Sequence, residues 1–295
     1  MKRLIDIVLR IAAIAVALVV LGWVLGFVLP AEGSADETAG GAGTSLLYLL
    51  SSFVLAVPLY YPISRSRLTG RSLFGVVFLA VFGLSTVLTQ IEAALFLNMT
   101  ASQLAIEILR STLAAAVLAW LAVTLYPRAD SKVAATSARK NPPSTGSWVR
   151  RWLGVSFLYV VLYITAGLLI LPIIRSWYES QGTLEQNPAL LLPLQIVRGA
   201  MYVAFVLPLL RSMNVSRRQA SLSMAFVVPL VHGVAGLIPP NPFMPDYVRH
   251  AHMFEIGWSN FVLGLLIGFL FWKPPVAAED PAQPSQDEAG HDMSG

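Results

Sequence analysis

The sequence predicts an all-α fold: a polytopic membrane helical bundle of about eight transmembrane helices, with N-terminus and C-terminus both cytoplasmic. Three observations predict it. Hydrophobic residues make up 56% of the 295 positions, charged residues only 12%, and the mean hydropathy is +0.68. Soluble domains carry about 45–50% apolar and about 25% charged residues. Apolar runs recur along the whole chain, each near the length of about 20 residues that a bilayer core requires. Lys and Arg gather in alternate gaps between those runs. This pattern excludes a soluble enzyme, a coiled coil, a collagen and a disordered chain. The absence of cysteine excludes disulfides, thiolate metal sites and cysteine nucleophiles. A net charge of +4 and a pI near 9.5 then have a topological origin, and no nucleic-acid partner is expected.

The first run, Leu4–Leu29, follows Lys2 and Arg3 and precedes the small residues Gly33, Ser34 and Ala35. Its apolar stretch exceeds the 7–15 residues typical of a cleaved signal, so a retained helix is expected. Ser45–Ile63 and Ser72–Leu97 follow, the latter ending near Gln90 and Glu92. Ser102–Tyr126 carries Glu107 and Arg110. These four form the first half, residues 1–126. Residues 127–147, rich in Ser, Ala, Lys and Pro, read as a cytoplasmic linker to a second half, residues 148–274. That half opens with Trp148–Ile174. Ala189–Leu210 bears Gln195 and Arg198, and Ala220–Leu237 bears His232 below the Pro239-Pro240 turn. Ile256–Trp272 closes it, with His250, His252 and Glu255 at its entrance. Residues 275–295 contain five acidic groups and too few apolar side chains to fold, so they read as a disordered acidic tail. Each run must be helical because lipid offers its backbone no partners. Pro58, Pro172, Pro193, Pro208 and Pro229 fall inside runs and predict kinks. Tyr60, Tyr61, Trp148, Trp152, Trp177, Tyr178, Trp258 and Trp272 read as interfacial aromatic belts.

Orientation follows from the basic residues. Lys2, Arg3, Arg10, Arg65, Arg67, Arg71, Arg128, Lys132, Arg139, Lys140, Arg150, Arg151, Arg211, Arg217, Arg218 and Lys273 fall on one side. Arg175 and Arg249 fall on the other, and Arg110 and Arg198 lie within runs. The positive-inside rule makes the crowded side cytoplasmic, in keeping with a bacterial cytoplasmic membrane. Single cysteines introduced into this Cys-free chain test the assignment with a membrane-impermeant thiol reagent. Label applied from outside is expected near Glu37, Gln181 and Pro242 and not near Thr69, Ala135 or Asn214; labelling at Ala135 would overturn the eight-helix topology.

Charges kept inside a bilayer mark functional sites, because burying them there is costly. Glu107-Ile-Leu-Arg110-Ser, Gln195-Ile-Val-Arg198-Gly and Glu255-Ile-Gly-Trp258-Ser share a pattern in three helices of like direction, which points to internal repetition. Arg198 lies 13 residues before Arg211, about 20 Å along a helix, so its charge falls inside the hydrocarbon unless Pro193 breaks the helix. Its expected partners are Glu92, Glu107 or Glu255. Arg110 and Glu107, three apart, share a face. Either these pairs are structural, or Arg110 and Arg198 together hold an anion, with Glu107, Gln195, Glu92 and Glu255 as further substrate-binding candidates. His252, Glu255 and Ser259 form one helical stripe. With His232 and Asn260, His252 is a candidate proton carrier; His232, His252 and Glu255 also have the chemistry of an open zinc site, though no strong ligand spacing is present. No resident metal or cofactor is expected.

The sequence carries no phosphate loop, dinucleotide fingerprint or GxSxG nucleophile. The expected function is binding or transport of a small anionic or amphipathic (lipid-like) substrate through an outward-facing polar cavity. The alternatives are an intramembrane hydrolase or transferase, with Glu255 or Glu107 as base beside His232 and His252, and a non-catalytic assembly protein.

Overall fold

The computed structural model describes residues 2–30, 42–97, 99–128, 145–181, 188–240 and 244–273. The acidic tail, most of the linker and the tip of the Pro-rich loop lie outside the described residues. Eight helices are long and apolar enough to cross a membrane, and strands of any length are absent among the described residues. They are α1 (Lys2–Val28), α2 (Ala42–Ser64), α3 (Gly70–Phe96), α4 (Ala101–Leu125), α5 (Thr145–Gln181), α6 (Pro188–Ser212), α7 (Arg217–Leu237) and α8 (Asp246–Phe271).

Several boundaries have local causes. Thr100 and Gln103 form a capping box at α4, the hydroxyl accepting from Gln103 N at 3.2 Å and the amide accepting from Thr100 N at 2.8 Å. Ser216 and Gln219 repeat it at α7, satisfying backbone donors that a helix start leaves without partners. Two boundaries differ from the sequence expectation. Helix α5 runs to Gln181 rather than Ile174, and α8 begins at Asp246 rather than Ile256. The extensions stabilise each other: Ile170, Ile174 and Trp177 of α5 pack with Val248 and Ala251 of α8 in a separate apolar cluster. Pro193 and Pro208 lie inside α6, so Pro193 does not break that helix. Pro229 immediately precedes a π turn in α7, Leu230–Val234, and a second π turn, Phe82–Leu88, interrupts α3.

Neighbouring helices alternate in direction, and arginines tie their ends together. At one end of the bundle Arg10 donates to Leu125 O (2.6 Å), Arg67 to Arg211 O (2.7 Å), Arg151 to Leu270 O (2.8 Å) and Arg217 to Phe269 O (2.9 Å). At the other end Arg110 donates to Leu29 O, and Arg249 donates to Leu237 O (2.6 Å) and Ile238 O (2.5 Å). Each of these carbonyls lies at or near a helix C-terminus, where the ladder leaves acceptors free and the macrodipole favours a cation. Arg249, counted with Arg175 on the side away from the basic clusters, is buried and caps α7. The segments that precede α3 and α7 lie side by side, Arg67 N on Ser212 O and Asn214 N on Arg65 O, both at 2.8 Å.

The tightest seam joins α7 and α8. A Cβ on Gly264 would sit 2.2 Å from Met224 O, and one on Gly268 would sit 2.5 Å from Ser221 Cα. Only glycine allows backbones this close, the usual route to helix association where lipid removes the hydrophobic drive. The seam fixes α8 against the π turn of α7, so that Ile256 packs on Gly233 beside His232.

Candidate functional site

The buried ionisable residues Arg198, His232, Arg249 and Glu255 lie toward the end of the bundle opposite the basic clusters, on α6, α7 and α8, with Glu92 of α3 beside them. At their centre Arg198 Nη2 lies 2.5 Å from Glu92 Oε1, joining α6 to α3. Arg198 is fully buried, whereas the Glu92 side chain is 27% exposed. Of the three acids expected as partners, Glu92 is the one that pairs. Arg198 Nη1 also donates to Gln195 Oε1 at 2.8 Å, one turn earlier on α6. The guanidinium sits over the Tyr159 ring, 5.7 Å from its centroid. Gly199 makes that approach possible: a Cβ there would meet Ser156 Cα at 2.8 Å, so α6 lies directly on α5 beside the arginine.

The two π turns meet beside this pair. A π turn bonds i to i+5 and so disturbs the regular carbonyl ladder, a feature common at functional sites. Here Leu84 O, in the α3 turn, accepts from His232 Nδ1 in the α7 turn at 3.0 Å. The Thr89 hydroxyl lies 3.0 Å from His232 O and 3.3 Å from Leu84 O, sharing one proton between them. Because Leu84 O can only accept, Nδ1 carries the proton and Nε2 is the exchangeable nitrogen. That Nε2 faces Glu92 Oε2 at 3.9 Å. The His232 ring also meets Tyr202 edge-on, with centroids 5.1 Å apart.

A second chain lies beside the first. The Tyr178 hydroxyl is 3.1 Å from His252 Nε2, and His252 Nδ1 is 2.7 Å from Glu255 Oε2. With α8 beginning at Asp246, His252 and Glu255 lie in its second and third turns rather than at its entrance. Ser259, on the same stripe, donates to Glu255 O at 2.6 Å, and Asn260 is buried on α8.

Some predicted associations are not formed. Glu107 and Arg110 pair with each other at 2.7 Å, and Arg110 also caps α1, so its guanidinium is committed away from Arg198. His232, His252 and Glu255 do not converge as ligands, because each histidine faces a different carboxylate. Among the described residues no three His, Asp or Glu side chains are grouped to hold a metal ion. Trp152, read as a belt residue, donates to Ala200 O at 3.1 Å and packs on Phe271. The sequence reading missed Thr89, Tyr159 and Tyr202; the last two form a face with Arg198, and Tyr202 follows Gln195 and Arg198 at the i, i+3, i+7 spacing that signals one stripe.

Within the Arg198–Gln195 pair, Arg198 Nε and Gln195 Nε2 are donors that lack an acceptor. Both residues are fully covered, and an unmet buried donor costs about 1–3 kcal/mol. Chemically the site offers a guanidinium and an amide to an oxygen acceptor, with a carboxylate and an imidazole alongside to exchange protons. The eight long apolar helices that carry it are consistent with a multi-pass membrane protein. No protein-family model, curated protein or solved structure matches the chain.

Proposed function

We propose that the protein binds or transports a small anionic or amphipathic substrate at an intramembrane site built on Arg198 and Gln195. The observation that carries this reading is the pair of unmet donors, Arg198 Nε and Gln195 Nε2, in residues with no solvent exposure. A carboxylate, phosphate or sulfonate brings oxygen acceptors for such donors, and guanidinium is the side chain best shaped for such groups. Glu92 balances the arginine when the site is empty, while His232, His252 and Glu255 carry protons. Arg110 and Glu107 serve helix ends rather than the substrate.

In this reading the basic end of the bundle faces the cytoplasm, since Arg65, Arg67, Arg71, Arg150, Arg151, Arg217 and Arg218 crowd that end. The polar site then lies in the outer half of the membrane, with the two four-helix halves contributing Glu92 from one side and Arg198, His232 and Glu255 from the other. Thermal unfolding in detergent with a panel of carboxylates, phosphates and sulfonates tests the site. At least one class is expected to raise the melting temperature of the wild type and to leave the Glu92→Gln/Arg198→Gln double variant unchanged. A panel without effect on the wild type removes this reading.

One observation favours hydrolase chemistry as a second reading. His232 has one nitrogen fixed by Leu84 O and the other facing Glu92 at 3.9 Å, a separation suited to a pair that positions and deprotonates water. Hydrolysis of amphipathic esters or membrane peptides that disappears in His232→Ala would promote it.

A further inference from the structure

We infer that Glu92 is a proton-operated gate on the Arg198 site, so that each anion bound is accompanied by one proton taken up. The inference rests on the anion-binding reading above and specifies how that site is opened. Arg198 is completely covered while Glu92 is 27% exposed, so the carboxylate is the member of the pair that meets an arriving ligand. It also holds the charge for which the ligand competes. Two anions against one buried guanidinium repel each other, and the resident one is relieved by protonation. With Glu92 neutral, the ligand's charge replaces the carboxylate's, and the buried site keeps the same net charge. That balance matters because an unmatched buried charge is strongly destabilising.

The groups needed to deliver the proton are in place. His232 Nε2 stands 3.9 Å from Glu92 Oε2, with Nδ1 held by Leu84 O, so its exchangeable nitrogen points at the gate. The Tyr178–His252–Glu255 chain supplies a route from the rim. His252 takes a proton at Nε2 and releases the one on Nδ1 to Glu255 Oε2, 2.7 Å away. Glu255 is followed by Ile256, which packs on Gly233 beside His232, so the two clusters adjoin. The groups that face Glu92 are Arg198 and Tyr202 from α6, His232 from α7, His252 from α8, and Tyr159, Tyr163 and Tyr178 from α5, with Glu255 of α8 paired to His252. On α4, Glu107 and Arg110 are engaged with each other. Arg198 is thus the permanent cation of the set.

The test uses the full chain in phosphatidylcholine nanodiscs and two monoanionic probes whose own charge is constant with pH, methanesulfonate and hexyl sulfonate. Binding is measured by calorimetry at about pH 5.5 and about pH 8, in buffers of different ionisation enthalpy. Wild type is expected to bind about tenfold more tightly for each pH unit of acidification over the range in which one proton enters per anion. Methanesulfonate and hexyl sulfonate distinguish a free anion from an amphiphile as the preferred source of the charge. Glu92→Gln, which cannot titrate, is expected to bind with the acid-form affinity at both pH values and without proton uptake. His252→Gln is expected to keep the equilibrium and slow its approach after a pH jump; an unchanged rate removes the Tyr178–His252–Glu255 route from the proposal. Binding to wild type that is independent of pH, with no proton taken up, overturns the gate and leaves the anion site standing. Failure of both probes to bind either protein at either pH overturns the anion site and the gate together.

Discussion

Replacing Arg198 by glutamine is expected to destabilise the protein by about 3–5 kcal/mol, the usual cost of removing one member of a buried ion pair. Glu92 loses its cation, 2.5 Å away, and Gln195 Oε1 loses its donor at 2.8 Å. Adding Glu92→Gln is expected to restore most of that stability, because two neutral amides in place of the ion pair leave no unmatched charge. The sequence alone nominated Glu107 for this second-site role as readily as Glu92. Glu107→Gln is now expected to give no rescue, since Glu107 is paired with Arg110 on α4. Arg198→Lys retains the charge but not the planar fork, so it should recover folding better than anion binding. Thermal unfolding of these variants, with and without sulfonate, reads out the cycle. Equal stability of Arg198→Gln and wild type would show that the buried pair contributes nothing, and the site built on it would fall.

The second large effect belongs to Gly264. A single methyl placed there lies 2.2 Å from Met224 O and also presses on Ala225 Cα at 3.0 Å. Neither is the flexible end of a side chain, so the two helices must separate. Gly264→Ala is expected to cost about 1–3 kcal/mol from overpacking, against the small helix-propensity gain that alanine ordinarily brings. Gly75→Ala is the matched control, with nothing within 4 Å of its added methyl; it should be neutral or slightly stabilising. Because the α7–α8 seam positions Ile256 on Gly233 next to His232, the Gly264 variant should also weaken sulfonate binding although it touches no polar residue of the site. Melting temperatures of the two variants check the prediction, and equal values would show that the seam is not tightly packed.

The sequence by itself determined the elements and their sequence order. Runs of apolar residues longer than a bilayer is thick leave the backbone only one solution, so eight helices were legible from composition and spacing. So was the exceptional status of Arg198, because 13 residues to Arg211 place its charge too deep for the side chain to reach water easily.

What only the tertiary structure decided was which polar groups meet. A helix wheel fixes a face, but it does not choose among Glu92, Glu107 and Glu255 when all three lie at similar depth on different helices. That choice follows from α3 packing on α6, where a Cβ on Gly83 would lie 2.1 Å from Phe205 Cγ, which sets Glu92 beside Arg198. The meeting of two π turns at Leu84 and His232 was equally hidden, since it joins a side chain of one helix to a carbonyl of another far away in sequence. The early start of α8 was masked by its polar first turns, Asp246 to Glu255, which look like a loop until Ile174 and Trp177 of α5 are there to cover them. Local patterns set where each helix exists; packing between helices set which charges became partners.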